Sequence, residues 1–264
     1  MVAPESQPNS PEPMFLSVVM PAYNEAGSLE AVIEDHLRVI RGLPGAVTDW
    51  EIVVIDDAST DDTPRILAEL ARREPRLRVE RHPANQGIFR SFEDAHRTAR
   101  GTHVFSTGSD GQWPAENLAR LFQVLRASGA DLVCGVRPDR FRTYTPWRRF
   151  ISASFALLPR LLFQVEVRDP GSIKLGRREV FQMELRSRSV FNEAERIIVA
   201  CRRGLRVEFA PVEFLPRRTG KALGAKMSNV VGSARDCLRC FWFYRVRGGG
   251  RDARRGGSLK GKPE

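Results

Sequence analysis

The feature that most limits what this chain can fold into is a repeated local pattern, in which a short apolar run breaks into a polar loop before a segment with helical spacing. Phe15 to Met20 (FLSVVM) stops at Pro21, Ile52 to Ile55 (IVVI) stops at Asp56-Asp57, and a run over 102–106 leads into GSDGQWP (108–114). Further strands are expected over 77–80 and 131–134. Leu29 to Ile40 has apolar residues at helical spacing. Thr63 as N-cap and Pro64 at N1 open another helix, with Ile66, Leu67 and Leu70 on one face. Over 115–127, Leu118, Leu121, Phe122 and Leu125 stand at i, i+3, i+4 and i+7. Parallel strands need crossover helices, so this rhythm predicts an α/β fold: a mostly parallel central sheet with helices on both faces. Ligands of such sheets bind beyond the carboxyl ends of the strands. That rule selects Pro21 to Glu25, Asp56 to Ser59 and Gly108 to Gln112.

A chain of 264 residues suits one large domain, expected over 14–225. Residues 1–13 hold four prolines and no apolar run, which reads as a disordered tail rather than a signal peptide. Past residue 138 the pattern loosens. Arg148 to Phe163 reads as an amphipathic helix suited to a membrane interface or to the core, 191–204 as a helix stopped by Gly204, and 205–212 as an alternating strand. A basic amphipathic helix over 226–247 mixes Leu238, Phe241, Trp242 and Phe243 with Arg235, Arg239, Arg245 and Arg247, and 248–264 is a disordered basic tail.

The position of charge is informative. Residues 217–264 carry thirteen Lys/Arg and three Asp/Glu, a net of +10 that equals the net charge of the whole chain, so residues 1–216 sum to zero. A neutral body with a cationic end suits an anionic surface: phospholipid head groups, or nucleic acid. The end has no recognised nucleic-acid-binding fold, so no nucleic acid partner is expected. There is no run of eighteen apolar residues for a spanning helix. The expectation is a cytoplasmic protein held peripherally at the inner face of the membrane, touching anionic lipid through the C-terminal basic helix. Cys134, Cys201, Cys237 and Cys240 fit thiols in a reducing compartment, and Cys237-x-x-Cys240 lacks the second pair of a zinc site.

Four segments then agree in order and spacing: VVMPAYNEAGSL (18–29), EIVVIDDASTDDT (51–63), NQGIFRSFEDAHRTARG (85–101) and SDGQWPAENL (109–118). Over about residues 14–225 the chain resembles family 2 glycosyltransferases of the GT-A (nucleotide-diphospho-sugar transferase, Rossmann-like) fold. It is most similar to their polyprenyl-phosphate branch, typified by dolichyl-phosphate mannose synthases. The resemblance implies inverting transfer of a hexose from a UDP- or GDP-linked sugar to a polyprenyl phosphate, undecaprenyl or dolichyl. It implies a donor nucleotide site of Pro21, Tyr23, Glu25, Ile55, Asp57, Gly108 and Ser109. The family's acidic loop reads D-x-D-x-Q, and alignment through Gln112, Pro114 and Glu116 sets Gly108 at the first acid and Asp110 at the second. Asp110 and Gln112 are then the expected ligands of Mg²⁺ or Mn²⁺, a hard cation served by carboxylate and amide oxygen. The first acid chiefly contacts ribose or sugar, so its loss points to altered donor recognition rather than to a lost metal.

Acceptor-phosphate contacts fall on Arg137, Arg148 and Ser152, and the loop PRRTGK (216–221) carries Arg217 toward the diphosphate, so Asp110 and Arg217 are the implied catalytic residues. The segment RDPGSIKLG departs from the family's D-P-x-S-G-F, which bears on Asp169 and Ser172.

Local readings remain beside these. Asn24 and Glu25 can cap a helix, Asp61 and Asp62 can serve a turn, and Asp110 can cap the 115–127 helix. A hydroxyl acceptor would need a general base, for which Glu193 or Glu195 is the candidate, whereas a phosphate acceptor already carries its oxyanion. A non-catalytic nucleotide-sugar-binding protein is the remaining alternative.

Overall fold

A computed structural model describes residues 13–138, 157–216 and 227–246. Arg148, Ser152 and Arg217, together with residues 1–12 of the expected N-terminal tail and all of the expected C-terminal tail, lie outside the described residues. The strands are β1 (Met14–Ala22), β2 (Val47–Asp56), β3 (Leu77–Arg81), β4 (His103–Ser106), β5 (Leu132–Val136), β6 (Lys174–Arg177) and β7 (Val207–Pro211). They form one sheet in the order β3-β2-β1-β4-β6-β5-β7. Every pairing is parallel except those of β6, which runs antiparallel to both β4 and β5.

The sheet is buried on both faces because its central strands are apolar at successive positions. Leu16, Val18 and Met20 of β1, with Ile52 and Val54 of β2, face one core. Val19, Val53 and Ile55 face the other. Helices α1 (Leu29–Arg41), α2 (Thr63–Arg73) and α4 (Glu116–Ser128) cover the first face. The second is covered by α3 (Ile88–Thr98), the Asn192–Arg202 helix and the Met227–Phe241 helix. Each fully buried aliphatic side chain contributes about 1.5–3 kcal/mol. Two packed faces and a central sheet are the layers that the apolar rhythm predicts.

Three local details depart from the sequence reading. Helix α2 begins one residue early, with Asp62 at its N-cap position. Asp61 Oδ1 accepts from the Thr63 amide at 2.9 Å, which leaves the Thr63 hydroxyl to accept from the Glu25 amide at 2.9 Å. Helix α4 follows Ala115 with no side-chain cap, and Asp110 Oδ1 accepts instead from the Gln112 amide at 3.1 Å within its own loop. The reversed strand β6 is the third. It wedges between β4 and β5 because Gly176 has no side chain; a Cβ there would stand 2.5 Å from the Asp131 carbonyl oxygen.

The C-terminal helix runs from Met227 to Phe241 and closes in a π turn over Trp242–Val246. It packs into the second core through Cys237, Cys240 and Tyr244, and both cysteines are buried free thiols. Among the described residues, no helix is long and apolar enough to cross a membrane.

Candidate active site

The ends of β1, β2 and β4 open onto one cleft of about 500 Å³. Its floor and walls are tied together by the loops themselves. The Ser109 hydroxyl donates to the Pro21 carbonyl at 2.7 Å, and the Ser28 hydroxyl reaches the Ser109 carbonyl at 3.1 Å and the Glu25 carboxylate at 2.9 Å. The Asn24 amide donates to the Ser59 hydroxyl at 3.0 Å, and the Asn24 side chain accepts from the Thr60 amide at 2.8 Å. Asn24 and Ala58 both have left-handed φ, 54° and 61°, so the chain turns sharply where it leaves β1 and β2. Such strain persists where surrounding bonds over-determine it, and it concentrates at functional sites.

Asp57 is buried in the cleft wall. Its Oδ1 accepts from the Gln86 amide and lies 2.8 Å from His82 Nδ1, while Oδ2 accepts from the Gly87 amide at 2.8 Å. Burial pushes this carboxyl up, but the bonds from His82, Gln86 and Gly87 outweigh it and hold the group below the usual carboxylate range. His82 Nε2 meets Asp94 at 3.2 Å on its far side. Asp57 thereby fixes the 85–87 turn, which presents Asn85, Gly87 and Ile88 to the cleft.

Of the residues expected at the nucleotide, Pro21, Tyr23, Glu25, Asp57, Gly108 and Ser109 all line this cleft. Ile55 does not; it is wholly buried one residue before the end of β2, in register with Pro21 on one side and Glu80 on the other. Asp110 lines the cleft, and Gln112, the other expected metal ligand, is not among its lining residues. The Gln112 side-chain amide donates to the Leu215 carbonyl at 3.2 Å, and the Gln112 carbonyl accepts from the Leu215 amide at 2.8 Å. The segment that leads toward position 217 is therefore anchored on the acidic loop. Among the described residues, no three His, Cys, Asp or Glu converge as a metal cage. One cleft carboxylate beside an amide fits a hard cation whose other ligands are diphosphate and water oxygens.

Arg137 grips the buried Asp169 through two parallel bonds of 2.9 and 2.8 Å and lies over the rings of Trp113 and Phe214 at 5.5 and 4.8 Å. Ser172 reaches the cleft with Gly171 and Ile173, so the shortened RDPGSIKLG segment still contributes to the site.

The two glutamates proposed as a base part company. Glu195 is off the cleft and wholly buried, accepting from the Arg186 and Ser187 amides, the Ser187 hydroxyl and, at 2.7 Å, the Tyr244 hydroxyl. Its role is structural, which corrects the base reading for Glu195. Glu193 does line the cleft, with Lys174 Nζ 2.6 Å away. Burial raises its carboxyl, but Lys174, Arg196 and His96 overcome that and hold it well below the usual range. Sequence reasoning missed Lys174. A lone lysine in the apolar run SIKLG was the available signal, since a buried lysine demands a carboxylate partner.

Comparison with known proteins follows this geometry. The "Glycosyltransferase AglD" of Haloferax volcanii is 28% identical over 88% of this chain, which spans only 38% of that relative. The "Dolichyl-phosphate beta-glucosyltransferase ALG5A" of Trichomonas vaginalis is 26% identical, covering 89% of this chain and 76% of the relative. Among solved structures, the glucosyl-3-phosphoglycerate synthase of Mycobacterium tuberculosis in complex with Mn²⁺, UDP and glucosyl-3-phosphoglycerate superposes with a TM-score of 0.61. It is 19% identical over 91% of this chain and 82% of that one. A mannosyltransferase of Pyrobaculum calidifontis in complex with GDP-mannose and Mn²⁺ gives 0.53 at 19% identity, over 92% and 78%. These likenesses give the fold as GT-A. The family model "Glycosyl transferase family 2" matches residues 17–183, most of the chain, and the protein belongs to that family.

Proposed function

We propose that this glycosyltransferase moves a hexose from a UDP- or GDP-linked sugar to a polyprenyl phosphate, with inversion, at the cytoplasmic face of a membrane. The observation that carries the acceptor class is the state of Glu193. A carboxylate held down by Lys174 and Arg196 takes a proton poorly, and Glu195 is committed to the core. Deprotonating a sugar hydroxyl needs a positioned base, whereas a phosphate acceptor arrives as an oxyanion. The relatives carry dolichyl-phosphate and undecaprenyl-phosphate transferase names, which support the same branch.

In this reading Pro21, Tyr23, Glu25 and Asp57 receive the nucleotide. Asp110, with Gln112, holds Mg²⁺ or Mn²⁺, whose chemistry is to neutralise charge on the departing diphosphate. Arg217 assists the same group. Arg137, Arg148 and Ser152 receive the acceptor phosphate, since the planar guanidinium fork suits phosphate oxygens. The acceptor oxygen attacks the anomeric carbon as the bond to the diphosphate breaks.

The membrane part rests on the C-terminal helix. Val231, Leu238, Trp242 and Val246 form an exposed stripe at helical spacing beside Arg235, Arg239 and Arg245, and Leu157, Leu158 and Leu161 are exposed on the neighbouring 157–163 helix. Arg245 donates to the Leu162 carbonyl at 3.2 Å, which joins the two. Apolar burial plus attraction to anionic lipid is how an interfacial helix binds.

The test is transfer of labelled sugar from UDP-glucose and GDP-mannose, with Mn²⁺, to undecaprenyl phosphate, and in parallel to soluble hydroxyl acceptors such as phosphoglyceric acid. A lipid-linked product that disappears in Arg137→Ala supports the reading. Turnover on the soluble acceptor alone, abolished by Glu193→Gln, would replace it with the hydroxyl-acceptor version.

A further inference from the structure

Behind the cleft wall, one imidazole stands between two buried carboxylates. His82 follows directly on β3 and begins the turn that runs through Asn85, Gln86 and Gly87 into α3. Its Nδ1 lies 2.8 Å from Asp57 Oδ1, just past the end of β2, and its Nε2 lies 3.2 Å from Asp94 Oδ2, on α3. His82, Asp57 and Asp94 are 9%, 2% and 7% exposed, and the ring is not among the cleft-lining residues. An ionised carboxylate only accepts hydrogen bonds, so the ring satisfies both neighbours when each nitrogen carries a proton. A neutral ring turns a lone pair on one of the two carboxylates, in a place where little water can replace the lost bond.

We propose that His82, carrying both ring protons, is a positioning residue for donor binding: it clamps Asp57 to α3 and thereby sets the 85–87 turn against the cleft. The inference rests on the nucleotide-sugar reading above, in which Asp57 receives the nucleotide, and adds to it a residue that acts only through its neighbours.

Both structures that the clamp joins face the donor. The 85–87 turn presents Asn85 and Gly87 to the cleft, and the first turns of α3 present Ile88, Ser91 and Phe92. The charges around the ring set the direction of the effect. Asp94 has two further cations on its own helix, Arg90 Nε at 2.9 Å, itself shared with Glu93, and Arg97. Asp57 has no second basic side chain among the described residues; its other bonds come from the Gln86 and Gly87 amides, which belong to the turn itself. Arg81, the neighbouring basic group on β3, turns instead to Asp56 at 3.4 Å and to the Ser59 carbonyl at 2.9 Å. Whichever nitrogen gives up its proton, the link between Asp57 and α3 opens. Donor affinity therefore falls as pH rises through the titration of His82.

The experiment is calorimetry on the full chain with Mn²⁺ and UDP-glucose or GDP-mannose, from about pH 5 to 8.5, which spans the usual histidine range. A nucleotide sugar is the probe because its diphosphate, esterified at both ends, keeps one charge state over that interval. Wild-type affinity falls as pH rises, on the order of 10-fold from plateau to plateau, the scale of a hydrogen bond to a charged group. His82→Gln, which takes up no proton, binds weakly at every pH with a flat profile. Asp94→Asn leaves the ring one carboxylate instead of two and moves the profile to lower pH. Of the other histidines, burial pushes His36 and His96 below the ordinary value, and His103 opens β4 at the end of the strand away from the cleft. A flat wild-type profile, or a His82→Gln variant that keeps wild-type affinity or its pH dependence, overturns the clamp while the nucleotide reading stands. So does an Asp94→Asn profile that does not move, which decides the matter where His82→Gln fails to fold. If the wild type binds neither nucleotide sugar at any pH, the transferase reading fails first and the clamp with it.

Discussion

Gly108→Asp restores the acid that the loop lacks, and its effect can be worked from the geometry. Gly108 lies outside the left-handed region, and a Cβ there would stand 3.4 Å from Asp110 Oδ1 and 3.6 Å from Trp113 Cδ1, so a side chain enters without moving the backbone. The new carboxylate then lies roughly 5 Å from that of Asp110, and two like charges at this distance repel by about 1 to 3 kcal/mol as the effective dielectric falls from 80 to 20. In a domain of this size that lowers the melting temperature of the metal-free variant by roughly 2–10 °C. A divalent cation reverses the sign, because it now meets two carboxylates, and ligand bound only to the native state raises the melting point. The assay is thermal unfolding with and without Mn²⁺ in the presence of UDP, followed by donor KM for each nucleotide sugar. Wild type and variant both respond to Mn²⁺, the variant more strongly, and donor preference shifts. A wild type indifferent to Mn²⁺ beside a variant that requires it would refute the assignment, since Asp110 would then be no cation ligand without a second acid.

Asp57→Asn weakens three charge-assisted bonds and should destabilise the fold by about 1.5–3 kcal/mol while raising donor KM, because the 85–87 turn loosens. The folded Asp57 has a depressed pKa, so its contribution is complete above the ordinary value of 3.8 and is lost as pH falls through the lower folded value; acid melting curves of wild type should steepen below about pH 4, and those of Asp57→Asn should steepen less, because Glu51, Asp61 and Glu193 still contribute there. Lys174→Met leaves Glu193 charged and unpaired and should cost about 3–5 kcal/mol, whereas Lys174→Met with Glu193→Gln recovers most of it in chemical denaturation. Leu238→Asp with Trp242→Ser should abolish sedimentation with phosphatidylglycerol vesicles, with far-UV circular dichroism and melting temperature unchanged, since both side chains are more than half exposed; retention of vesicle binding would exclude this stripe as the anchor.

The first half of the fold was legible because each of its strands announces itself. FLSVVM and IVVI are continuous apolar runs that end in turn residues, and a run that short and that apolar is a strand covered on both faces. Helix α3 was not read as one. Its sequence IFRSFEDAHRT buries Ser91, Asp94 and His96 along with Ala95, so polar residues share its inner face with the short stripe of Ile88, Phe92 and Ala95. These residues are held by specific bonds, such as His96 Nε2 to the Ser106 hydroxyl at 2.9 Å, which pattern alone cannot anticipate. Strand β6 was hidden for a related reason. KLGR carries a charge at each end, and only the Glu193 carboxylate, nineteen residues on, makes the buried lysine tenable. Within the site, the residues that end strands in turns were visible from sequence, while Ser172 and Lys174 owe their place to the antiparallel insertion.

That insertion also shapes the wall of the cleft. The parallel strands β1, β2 and β4 all end at the same edge, and their loops are laced by Ser28, Ser109 and Asp57 into a single preformed wall. A fourth parallel strand beside β4 would have added one more loop of the same kind. Instead β6 runs backward, so the chain passes the cleft before the strand begins, and the turn at 169–173 supplies Ser172 and pairs Asp169 with Arg137. The helix that carries Glu193 then closes over Lys174, and two residues further on the same helix presents Glu195 to Tyr244 of the C-terminal helix. The Asn192–Arg202 helix is therefore held from both sides, by the cleft wall and by the C-terminal helix. In the proposed interfacial reading, this link would let the C-terminal helix set the orientation of the cleft relative to the membrane without any conformational change in the site itself.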